Sequence, residues 1–150
     1  MNNRNDHSWV ETTAVFLLIL LWVYTAGSKL IELRAFRWEM RNQVFAKEAA
    51  NFLVYFIPAI EILAAVLLLS VKSRIEGFVL SLILMFSFTL YVGLALLNVY
   101  ARLPCSCGGV LEYMSWQAHF IFNLFFTAVA LTGTINYVKR RRAVTAMKIE

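Results

Sequence analysis

The chain is short of charge, of acid and of cysteine, and each shortage narrows what it can be. Only 15% of its 150 residues are charged and 61% are hydrophobic. Soluble domains carry about 25% charged residues, so this composition, with a mean hydropathy of +0.68, lies well outside their range. Nine acidic residues face fourteen basic ones, for a net charge of +5. No nucleic-acid motif accompanies that excess, and basic residues beside membrane ends, where anionic headgroups attract them, account for it. No internal repeat or low-complexity tract is present. Cysteine occurs only at Cys105 and Cys107, so there is no second dithiol pair to which electrons could be relayed.

What is present is a set of four long apolar runs. About 20 helical residues cross a hydrocarbon core of roughly 30 Å. The runs from about Val10 to Leu33, Phe52 to Val71, Phe78 to Tyr100 and Trp116 to Val138 each suffice. Backbone groups in lipid must bond within their own segment, so each run reads as a helix. The expected fold is all-α, a four-transmembrane-helix bundle. A single integral membrane domain over residues 1–150 has its core at about 10–138 and a basic cytoplasmic tail at 139–150. The flank Met1 to Thr13 sets Arg4 against Asp6 and Glu11, where a secretory signal would be positively charged. The first run is therefore expected to be a retained helix, although Thr25-Ala26-Gly27-Ser28 imitates a cleavage site.

Four spans put both termini on one side. The cluster Lys139-Arg140-Arg141-Arg142 marks that side as cytoplasmic by the positive-inside tendency, and Lys72 and Arg74 in the second-to-third connection agree. The first outer connection carries Arg34, Arg37, Arg41 and Lys47, accompanied by Glu32, Glu39 and Glu48. Within it Phe36, Met40 and Val44 recur every four residues, which fits an amphipathic helix on the outer surface; a plain connector satisfies the pattern equally. The cysteine loop then faces the oxidising side, where disulfides persist.

Cys105-Ser106-Cys107 can close a disulfide only through a very small ring. Pro104 fixes φ before it and Gly108-Gly109 permits unusual dihedrals after it. Such a ring is strained, closes almost no chain and stabilises little, whereas strained exposed disulfides tend to oxidise others. Thiol exchange is the expectation. Two other readings stand beside it: loop thiols without a role, and a soft-metal site for Cu(I) or zinc with Met114 and His119 as further ligands.

Four polar residues inside the apolar runs bear on function. Glu61 falls about ten residues into the second, on the order of 15 Å at about 1.5 Å per residue, and an intramembrane carboxylate is a functional candidate by default. Its obvious cation is Lys29, and their contact would be either a tie between helices or part of a proton path or ligand site. His119 and Asn123 share a face of the fourth helix beneath the cysteine loop. His119 can serve as a base in thiol exchange or simply bond to Asn123.

Gly27-Ser28-Lys29-Leu30, then Pro58 and Glu61 in IPAIEILAAVLLL, then PCSCGG before the fourth helix, together resemble the MauE family of DoxX-like four-helix membrane proteins. The resemblance spans roughly Phe16 to Thr134, and Lys29, Glu61, Cys105, Cys107 and Gly108 match its pattern. It implies a bacterial inner-membrane protein. MauE is associated with methylamine utilisation, in maturation of the disulfide-rich small subunit of methylamine dehydrogenase, and DoxX-like relatives include quinone-linked oxidoreductase subunits. The expectation is thus a membrane thiol–disulfide protein with Cys105, Cys107 and His119 as its catalytic residues. Its partner would be a periplasmic thioredoxin-like or disulfide-containing protein. No cofactor motif is evident, and a quinone is the acceptor to consider. A non-catalytic assembly subunit is the competing expectation.

Overall fold

The computed structural model describes residues 3–42, 46–97, 99 and 115–146. Cys105, Cys107, Met114 and Val44 lie outside the described residues. The described residues form five helices in order: α1 (Asn3–Ile31), α2 (Leu33–Arg41), α3 (Lys47–Leu69), α4 (Arg74–Leu96) and α5 (Trp116–Ala146). All but α2 are long and apolar enough to cross a membrane.

The four long helices form a square. α1 packs against α3 and α5, and α4 packs against the same two, which leaves α3 and α5 on one diagonal. Leu18, Trp22, Leu68, Phe78, Met85 and Ala130 fill the centre. Their register follows the helical repeat, so Phe16, Leu20, Val23, Leu63, Val66, Ile83, Phe86, Ile121 and Phe125 are left facing outward. An apolar perimeter of that kind is satisfied by lipid.

Small residues and hydroxyls set the approach of the helices, as membrane packing favours. A Cβ on Gly77 would stand 2.7 Å from the Leu68 backbone nitrogen, so α4 can start this close to α3 only with glycine there. A Cβ on Gly133 would enter the Phe78 ring. Trp22 Nε1 donates to Ser81 Oγ at 2.8 Å, and the hydroxyls of Thr89 and Thr127 meet at 3.0 Å between α4 and α5.

Three helices run past the apolar segments. α1 begins at Asn3 and α3 at Lys47, and α5 continues through Lys139-Arg140-Arg141-Arg142 to Ala146. Hydropathy marks where lipid begins; backbone hydrogen bonding continues through straight-chain Lys, Arg and Glu, which are good helix formers.

α2 is short and two-faced. Phe36 and Met40, one turn apart, bury against Ala50 and Val54 of α3, while Arg34, Arg37, Trp38 and Arg41 point outward. Arg37 donates to the Tyr55 hydroxyl and Arg41 to Asn51 Oδ1 at 3.2 Å, so α2 is fastened along the first turns of α3.

Candidate functional site

Lys29 and Glu61 come together between α1 and α3. Lys29 Nζ donates to Glu61 Oε1 at 2.7 Å and to the Thr25 carbonyl at 3.4 Å. The pair is almost sealed, with 4% of Lys29 and 1% of Glu61 exposed. Two local features bring them to one level. Side chains on a helix lean toward its N-terminus, and α1 and α3 are separated by α2 and a short connection, so Lys29 and Glu61 reach toward each other. The Phe36 ring of α2 lies 6.0 Å from Nζ and covers the ammonium at the edge of cation–π range.

His119 and Asn123 reach the same place from α5. Both are buried, at 2% and 4% exposed, and both line a small chamber with Trp22, Thr25, Lys29 and Glu61. Its volume is about 20 Å³, with Met85 and Phe88 among its apolar walls. The Trp116 ring stacks over His119 with centroids 6.5 Å apart and planes 13° from parallel. His119 is one turn into α5, its backbone N–H bonded to the Ser115 carbonyl at 2.9 Å. The two polar pairs that the sequence suggests separately, Lys29–Glu61 and His119–Asn123, therefore occupy one chamber.

A second buried charge cluster lies toward the other end of α1, and sequence reasoning did not find it. Glu11 is 2% exposed, and its Oε1 accepts from Arg74 and Arg140, each at 3.0 Å. It joins the starts of α1 and α4 to the end of α5. Glu11 sits at the flank of an apolar run, where charge is ordinary. The available signal was a lone acid opposite two basic residues, each at the same end of another span.

A larger cavity lies elsewhere. An apolar groove of about 460 Å³ runs between α4 and α5, lined by Phe86, Leu90, Gly93, Leu97 and Phe120, with Thr89 its one hydroxyl. That hydroxyl already donates to the Met85 carbonyl and meets Thr127. The groove has the apolar lining of an alkyl- or prenyl-chain site, and among the described residues that line it none offers a free polar group to a quinone ring. Among the described residues no three of His, Cys, Asp and Glu cluster as metal ligands; of the residues in the soft-metal reading, Cys105, Cys107 and Met114 lie outside the described residues and His119 lies within them.

The family model for methylamine utilisation protein MauE matches residues 7–136, most of the chain. No match is found among curated proteins or solved structures. Four membrane-capable helices with an apolar perimeter accompany that match. The chain is a multi-pass membrane protein of the MauE family.

Proposed function

We propose that this MauE-family membrane protein exchanges disulfides with an extracytoplasmic protein during that protein's maturation, through Cys105 and Cys107. One observation carries the reading: the chain keeps two cysteines only, one residue apart, between Pro104 and Gly108-Gly109. They fall inside the matched region, whose description ties the family to methylamine utilisation. A partner thiolate attacks one sulfur of the Cys105–Cys107 disulfide and forms a mixed disulfide. The partner's second thiolate then releases it. The partner gains a disulfide, and two electrons and two protons pass to the pair. Strain in so small a ring favours that direction.

His119 is the base proposed to manage a proton in this exchange, one turn below the residue where the loop ends. A membrane quinone is proposed as the acceptor that restores the disulfide. The α4–α5 groove supports only a prenyl tail, so no step is assigned to it. The proposed location is the bacterial inner membrane, with both termini cytoplasmic and the cysteine loop periplasmic. The grouping of Arg74 and Arg140 at one end of the bundle supports this.

Trapping thiols in living cells by acid quench and alkylation tests the exchange. The native pair is expected to cycle between oxidised and reduced forms. Cys105→Ser or Cys107→Ser leaves one thiolate, which attacks the disulfide of the oxidised partner in the reverse exchange and is expected to accumulate as that mixed disulfide. A pair that never cycles and never cross-links sinks the reading. The exposed Arg34, Arg37 and Trp38 on α2 favour a second one, a non-catalytic assembly subunit. Full function in a Cys105→Ser/Cys107→Ser double variant would select it.

A further inference from the structure

Glu61 Oε2, His119 Nε2 and Asn123 Nδ2 are buried, find no hydrogen-bond partner among the described residues, and belong to side chains that line one chamber. Buried polar atoms are almost always bonded, so three around one small volume point to a shared guest. Their chemistry specifies it. A carboxylate oxygen accepts, an amide nitrogen donates, and an imidazole Nε2 accepts when Nδ1 holds the proton. An anion would meet the Glu61 carboxylate, and a cation would meet the Lys29 ammonium already bonded to it at 2.7 Å. A neutral guest that both donates and accepts suits all three. The chamber measures about 20 Å³, just above the roughly 10–15 Å³ that a single water needs.

We propose that this chamber is a binding site for one water molecule, which accepts from Asn123 Nδ2 and donates to Glu61 Oε2 and His119 Nε2. Three bonds is the usual complement of a buried water. The water joins α3 to α5 across the diagonal of the square and makes the ion pair and the imidazole one hydrogen-bonded unit. It also fixes the His119 tautomer, with the proton on Nδ1. The site is built from the helices alone and does not depend on Cys105 or Cys107.

The chain has two histidines, His7 and His119, so a His7→Gln protein labelled with ¹⁵N-histidine reports His119 alone. Solid-state NMR of that protein in lipid bilayers is expected to show an unprotonated Nε2 that receives magnetisation from a bound water. Asn123→Leu removes the donor and fills the space, and the water transfer is expected to be lost. Glu61→Gln keeps the shape: its amide oxygen stays toward Lys29 Nζ, and its amide nitrogen donates to the water where Oε2 accepted, so the water still donates to His119 Nε2 and the transfer is expected to be retained. A protonated Nε2, or no transfer from water in the His7→Gln protein, overturns the site. Transfer that survives Asn123→Leu unchanged, or that Glu61→Gln abolishes, overturns it as well.

Discussion

Lys29 and Glu61 test how a membrane bundle tolerates buried charge. A carboxylate near the middle of a span costs roughly 2.5–3.5 kcal/mol on insertion scales, and the ammonium 2.7 Å away offsets that cost. Removing one partner strands the other. Glu61→Leu or Lys29→Met is therefore expected to destabilise by about 3–5 kcal/mol, whereas replacing both with apolar residues is close to neutral. Thermal unfolding in detergent, followed by circular dichroism, measures this directly. A double variant no more stable than the worse single one would contradict a pairwise tie. A stable double variant that has lost activity would assign the pair a chemical role. These residues were legible in the sequence because charge inside an apolar run has few explanations. Glu11 was not, since its partners lie 63 and 129 residues away and only folding brings them together.

At the scale of the element, α2 and the α3–α4 turn show two kinds of fit. α2 is held by Phe36 and Met40 in a small cluster apart from the main core. Phe36→Ala is expected to loosen α2 locally: hydrogen exchange should quicken at the amides of Leu33–Arg41 while α4 and α5 keep their protection. Quickening throughout the bundle would show that α2 is part of the global fold. Gly77 is tighter, because the obstruction is Leu68 backbone, which cannot rotate away. Gly77→Val is expected to cost about 1–3 kcal/mol, the usual range for overpacking, read as a lower melting temperature. The existence of four long helices followed from hydropathy alone. Their ends did not, for α1, α3 and α5 all continue through charged residues. The four-residue period of Phe36, Met40 and Val44 fitted an amphipathic helix and a plain connector alike; α2 buries Phe36 and Met40 and stops at Arg41, and Val44 lies outside the described residues.

For the whole molecule, sidedness decides what the cysteines can meet. If the proposed orientation holds, a membrane-impermeant thiol reagent is expected to label reduced Cys105 and Cys107 from the periplasmic side of intact spheroplasts. Labelling only after lysis would place the loop in the cytosol and remove the basis for disulfide donation. The motif was plain in the sequence, while its surroundings depend on how the loop meets the bundle.

The Glu11 cluster has a consequence for how the bundle is made. α1 enters the membrane carrying a carboxylate whose first arginine is 63 residues behind it and whose second is 129 behind. At about 5–20 residues per second, the ribosome delivers Arg140 roughly 6–26 s after Glu11. Protease resistance of α1 in ribosome-arrested chains is expected to rise in two steps, once when Arg74 emerges and again when Arg140 does; a single rise would dissociate the two. On that expectation synthesis order becomes assembly order, with α5 latching α1 through Arg140 and Glu11.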